Sequence, residues 1–393
     1  MQRTLFRSVA VADARSDRLE RDRSVLVDDG RISWIRPTGD EPDPGPGARV
    51  IDAGGSTLVP GLVDSHSHIT LPGGSHWIAR IDDPTDALLA VAEENGERLL
   101  AAGIFWARDV GSPAREADGR ARALGLAVRD RWEGRHDRPA IRAAGTWIGK
   151  AGALPGAGFL VEAKDGDDLV AAAERQLDDG ADHIKLYLDG PDAETSPFTE
   201  HEVARVVAAA ADRGAFVTAH ATQIGGTRAA VAGGVRSVEH GERIDADLAA
   251  EMARRGTFLV TTHAVMKSWL SFGRTTTLER FVGAPASERI IIRLEAARES
   301  VARARRAGVR IAAGSDFGGG SLRAGHLAWE VEALVEAGLE PWEALGAATW
   351  RGGELLDEPE AGVLREGGPA AGFLVHGDPL SDPSALWRVW RRL

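Results

Sequence analysis

One pattern repeats along the middle of the chain: a stretch of helical periodicity, a glycine, then a short apolar run ending in a polar side chain. It is written AAGIFWARD, DDGADHIKLY, DRGAFVTAH, AGGVRSVEH, RRGTFLVTTH and RAGVRIAAGSD. The glycines (Gly103, Gly180, Gly214, Gly234, Gly256 and Gly308) fall where a helix ends and a left-handed residue is wanted. The apolar runs have strand length and strand composition. Thr199 with Glu202 forms a capping box ahead of VARVVAAAADRG, a predicted helix. Strands alternating with helices imply parallel βα units. Strands are predicted at roughly 62–68, 104–110, 141–148, 183–189, 216–221, 235–240, 258–263 and 309–316. Eight such units predict an α/β chain closed into a (β/α)8 TIM barrel over residues 61–351.

The two ends of the chain have a different texture. SVLVDDGRISWI predicts a hairpin turning at Asp28, Asp29 and Gly30. GDEPDPGPG is a loop, and ARVIDAGGSTLVPG reads as strand, turn, strand. The tail, AGVLREGGPAAGFLVHGDPL, returns to β-like text. Head and tail together predict a small β-sandwich domain, residues 1–60 and 352–393, beside the barrel.

Composition removes several classes of function. The net charge of -12 over 393 residues argues against a nucleic-acid surface, which needs a basic face. No apolar run approaches the ~20 residues of a membrane span. The N-terminal residues lack a signal-peptide pattern, so a cytoplasmic location is expected. With no cysteine, disulfides and thiolate metal sites are excluded, and any metal must be held by nitrogen and oxygen. Of the 47 basic residues only Lys150, Lys164, Lys185 and Lys267 are lysine. The expected partner is a small-molecule substrate, and homo-oligomerisation is left open.

In a (β/α)8 barrel, chemistry sits at the C-terminal ends of the strands. Polar groups fall there on seven strands: His66 and His68, Asp109, Lys185, His220, His240, His263 and Asp316. Residues i and i+2 of a strand share a face, so the His66 and His68 rings can reach one point, as a divalent cation requires. The bland reading of each group is a strand cap, a buried histidine bonded to a carbonyl, or a helix-capping aspartate. Lys185, in HIKLYLD, is harder to dismiss. A buried amine has a lowered pKa, and a neutral amine can take up carbon dioxide as a carbamate, which arginine cannot do.

VPGLVDSHSHI, ARDVGS, HIKLYLDG, VTAHAT, SVEHG, AAGSDFG, EALGAATW and GFLVHGDPL together resemble the amidohydrolase superfamily. Within it the chain is most similar to the imidazolonepropionase-like and Xaa-Pro dipeptidase-like branch. The resemblance implies a metal-dependent hydrolase on a distorted (β/α)8 barrel. It implies that His66, His68 and Asp316 bind one metal, that His220 and His240 bind a second, and that a carboxylated Lys185 bridges them. Asp316 and Lys185 are then catalytic, the cofactors are two divalent ions, zinc first, and a bridging hydroxide cleaves an amide or peptide bond. An Xaa-Pro-like dipeptide or N-acyl amino acid leads as substrate. Cyclic amides, lactones and phosphotriesters remain open, as do a mononuclear deaminase and a non-catalytic binding protein.

The chain departs from this family in AAGTWIGKAGALPGAG, which lacks the histidine that many relatives carry after the third strand. Lys150 or backbone amides of that glycine-rich loop could replace it. Tyr187, on the Lys185 face, and His263 are candidate substrate contacts. Trp147, with Trp77 and Trp269, is a candidate wall of the pocket. Asp109 reads as tying a turn. Gly372 stands where relatives commonly have aspartate.

Overall fold

The computed structural model describes residues 3–153 and 160–393. It is an α/β fold in which the repeated phrase forms parallel strands, each followed by helix. All six glycines of that phrase adopt left-handed φ values, from 69° at Gly214 to 93° at Gly180. The backbone therefore reverses from helix to strand where a side chain would be strained. The Thr199–Glu202 capping box is formed at the start of helix Glu200–Ala211.

The parallel strands pair as two sheets. Leu62–Ser67, Ile104–Asp109 and Ala140–Ala143 make one of three strands. The other, of seven, runs from Val161–Ala163 and Ile148–Lys150 through His183–Tyr187, Phe216–Ala221, Ser237–His240 and Phe258–Thr261 to Ile311–Ala313. The predicted continuous eight-strand ladder is thus interrupted. Single parallel bridges lie at the two seams, Ala144 with His183 and Ser67 with Phe317. At the second seam the Asp316 amide donates to the His66 carbonyl (2.8 Å), and the His68 amide to that of Phe317 (3.0 Å). The predicted third strand is split into Ala140–Ala143 and Ile148–Lys150, and between them Gly145 approaches the Gln176 side chain so closely that no Cβ fits.

Both chain ends enter one mixed sheet of seven strands. The predicted hairpin joins Glu20–Asp28 to Arg31–Pro37, with Asp29 (φ 52°) and Gly30 (φ 72°) at its turn. The tail strand Gly372–His376 pairs antiparallel with Ser56–Pro60. Among the described residues no helix is long and apolar enough to cross a membrane.

Candidate metal centre and active site

His66 and His68 end the first parallel strand, and both are buried. Their Nε2 atoms lie 3.5 and 3.4 Å from Asp316 Oδ1. Two ligands ~2.1 Å from one ion at a tetrahedral angle stand roughly 3.4 Å apart, so the spacing suits a shared cation. Each ring is aimed by its other nitrogen: His66 Nδ1 donates to Glu239 Oε2 (2.6 Å) and His68 Nδ1 to the Gly111 carbonyl (2.8 Å). That leaves both Nε2 lone pairs directed at Asp316. Among the described residues this trio is the one group whose ligand atoms all lie within 4.8 Å of one another.

A second pair of imidazoles stands beside it. The His240 ring centroid is 4.8 Å from that of His66 and 4.6 Å from that of His220. His240 Nδ1 bonds the Thr262 hydroxyl (2.8 Å), and His220 Nε2 donates to Asp189 (3.1 Å). The unshared nitrogens are therefore Nε2 of His240 and Nδ1 of His220. Burial, reinforced by neighbouring cations and imidazoles, holds His66 down to about 3 and His240 well below the ordinary histidine range. Both are neutral at pH 7, the form that can ligate. Asp316 is held below the ordinary carboxylate range: burial opposes ionisation, but the close His68 ring, with the nearby His66 and Lys185, outweighs it.

Lys185 faces this group and is 1% exposed. Its Nζ is buried with no hydrogen-bond partner among the described residues. Burial and the Arg108 charge bring its pKa down to about 8, against the pull of Glu239 and Asp316. An orphaned, partly deprotonated amine beside four imidazoles and a carboxylate fits a carbamate bridging two ions.

These side chains share the wall of one cavity of about 200 Å³ with Tyr187, Trp77, Trp147 and Trp269. Tyr187 stacks on His220 at 4.3 Å, and burial with the Asp189 charge pushes its phenol up to about 12. Trp147 lies against His68, ring centroids 5.1 Å apart. Two predicted contacts do not line it. His263, buried with both ring nitrogens unpartnered among the described residues, begins helix His263–Phe272, and its neighbour Thr262 takes the wall position. Lys150 reaches away, donating to the Lys164 carbonyl (2.7 Å) over the Phe198 ring. The glycine-rich alternative to Lys150 falls partly on residues 154–159, outside the described residues. Asp109 ties a turn as expected, accepting from the amides of Ile69 (2.7 Å) and Gly111 (3.0 Å).

Several supporting residues carry no plain sequence signal. Glu239, fully buried, accepts from Arg108 Nη2 (2.7 and 2.8 Å), His66, Ser237 and Thr218. Burial alone would favour its acid form, yet the charge of Arg108 and the His66 bond keep it ionised. Asp189 anchors His220 while accepting from the Thr222 amide and hydroxyl (2.8 and 2.6 Å). Asp64 accepts from Ser315, tying the first strand to the loop that carries Asp316.

Residues 57–389 match the family model described as Amidohydrolase family. An uncharacterized protein of Mycobacterium tuberculosis is 32% identical over 339 residues, 85% of this chain and 81% of its own length. The imidazolonepropionase of Paracoccus denitrificans is 30% identical over 273 residues, 60% of this chain and 64% of its own. Among solved structures, a Xaa-Pro dipeptidase with methionine bound in its active site superimposes with a TM-score of 0.84. It is 25% identical and covers 99% of this chain and 97% of its own.

Proposed function

This chain belongs to the amidohydrolase family, hydrolases acting on carbon–nitrogen bonds, and on that premise we propose that it is a binuclear amide or peptide hydrolase. The leading substrate is an Xaa-Pro-like dipeptide or an N-acyl amino acid. The observation that carries the two-ion reading is Lys185, a buried amine without a hydrogen-bond partner among the described residues, on the wall of the cavity that the ligand candidates share. The parallel strands are read as a distorted (β/α)8 barrel over residues 61–351, with residues 1–60 and 352–393 as the β unit beside it.

In this reading His66, His68 and Asp316 hold one divalent ion and His220 and His240 the other. Zinc suits the nitrogen and oxygen donors. Lys185, once it had added carbon dioxide and lost a proton, would supply the carboxylate that the two ions share. When bound, such a pair of cations lowers the pKa of water and polarises a carbonyl. The protein's own groups do the rest. Asp316, ionised at neutral pH, accepts the proton of the attacking water and returns it to the leaving nitrogen. Tyr187 stays protonated and can donate to the carbonyl oxygen as negative charge develops there. Tryptophan walls exclude bulk water, which strengthens each of these interactions.

A mononuclear centre is the second reading, favoured because only the His66, His68 and Asp316 trio brings its ligand atoms within 4.8 Å of one another among the described residues. Elemental analysis of the zinc-loaded protein separates the two. Two equivalents are expected, falling to one or fewer in Lys185→Ala, with kcat on a dipeptide or N-acyl amino acid falling at least 100-fold. A Lys185→Ala protein that keeps its metal content and turnover removes the binuclear reading.

A further inference from the structure

The reaction cavity does not end at its tryptophans. A second hollow shares Trp77, Trp269 and Arg293 as walls with the first, so the two adjoin. Its other lining includes Phe281, Ile290, Arg280 and Arg289, with no carboxylate. Arg293 is already committed: it bonds Glu242 through Nε (2.9 Å) and Nη2 (2.5 Å). Arg280 lies 4.6 Å over the Phe281 ring and donates only to the Ser75 carbonyl. Arg289 has neither an ion pair nor a side-chain hydrogen bond among the described residues. Glu279 and Glu288, which precede Arg280 and Arg289 in the chain, pair with neither arginine among the described residues. Two exposed guanidiniums thus stand without an acidic partner among the described residues, beside indole and phenyl faces of a hollow that adjoins the reaction cavity.

We infer that this vestibule is a substrate subsite for an aromatic arm ending in a carboxylate. The inference rests on the amide-hydrolase reading and narrows it: the substrate is an N-acyl amino acid whose acyl group is an aryl carboxylate. The ring packs against Trp77 and Trp269, where flat apolar surface is most efficiently buried. The carboxylate meets Arg280 and Arg289, whose planar donors match its two oxygens in a way a lysine would not. The amide lies inward, at the ring of imidazoles.

Two compounds test this on the zinc-loaded protein: N-(4-carboxyphenylacetyl)-L-phenylalanine and its 4-carboxamide isostere, alike in shape and different in charge. The carboxylate compound is expected to have a kcat/KM at least tenfold higher. In the double variant Arg280→Gln/Arg289→Gln that preference falls to about unity. Arg306→Gln, which removes one such charge from the far end of the helix that carries Arg289, keeps it. If neither compound is turned over, calorimetric dissociation constants on the same protein carry the same ratio. Binding without turnover then counts against the hydrolase reading alone. Equal kcat/KM or affinity for the two compounds, a preference that survives the double variant, or no binding of either overturns the vestibule.

Discussion

At Gly319 the backbone passes so close to His68 that an added methyl group would overlap the imidazole itself. The φ there is not in the left-handed region, so alanine is excluded by contact and not by backbone conformation. The neighbouring backbone is fixed, and the ring must give way. His68 is held by a single bond from Nδ1 to the Gly111 carbonyl, and displacing it moves a ligand nitrogen away from Asp316. A misplacement near 1 Å costs on the order of 100-fold in rate. Gly319→Ala is therefore expected to lose about that much kcat and to bind metal more weakly, with its circular dichroism unchanged. Full activity in the variant would show that the ring can shift without consequence. Residues of this kind also mark how far the sequence could be read. His66, His68, Lys185, His220, His240 and Asp316 were legible because their types are rare in strands and their positions recur. Glu239 was not, because strand alternation sets it on the opposite face from His240. The structure escapes that alternation through a left-handed backbone at His240 (φ 72°), and Asp316 does the same at 51°. Both are uncommon conformations for residues with a Cβ. Neither could be foreseen from spacing.

The same departures explain where whole elements were misjudged. Strand ends predicted at 263 and 316 fall at Thr261 and Ala313, because the chain leaves the ladder to deliver its polar groups and start the next turn. His263 consequently opens a helix and does not line the cavity. That helix is capped from outside itself: Glu330, fully buried on helix Leu327–Glu336, accepts from the Ala264 amide (2.6 Å), beside the Thr261 hydroxyl. Burial pushes the Glu330 carboxyl up to about 8 from 4.5. Between those values the folded chain keeps a proton that the unfolded chain has lost. Stability therefore falls as pH rises through this window, by at most ~1.4 kcal/mol per unit, and levels off above it. Glu330→Gln keeps an acceptor for Ala264 and removes the titration. Relative to the parent, the variant should gain stability as pH rises from 5.5 to 8, as measured by urea unfolding. The buried neutral histidines have the opposite sign below pH 6.5, but they are common to both proteins and cancel in the difference. A constant difference across that range would show that Glu330 is ionised in the native state.

For the whole molecule, the hydrophobic pattern announced a strand-rich head and tail but not how tightly they join the centre. Strand Gly372–His376 answers this by its alternation. Phe373 and Val375 belong to the large core with Leu62, Ile104, Val217 and Leu259 of the parallel strands, whereas Leu374 belongs to the core of the terminal sheet with Phe6, Val25 and Ile32. Each of the three is fully buried. One short strand thus closes two cores at once. Phe373 also packs against Gly103, whose left-handed turn leads into the second parallel strand. Burying three such side chains is worth roughly 1.5–3 kcal/mol each. That is a large part of the ~5–15 kcal/mol by which a domain is stable. A chain ended at Gly368 should accordingly fail to fold rather than lose one lobe. In the intact protein Phe373→Ala and Leu374→Ala should each cost ~2–5 kcal/mol. Both should lower the midpoint of a single transition, seen alike by release of zinc and by far-ultraviolet circular dichroism. If instead the zinc stays bound through a first, separate transition in Leu374→Ala, the terminal sheet is an independent unit and the shared strand does not couple it to the site.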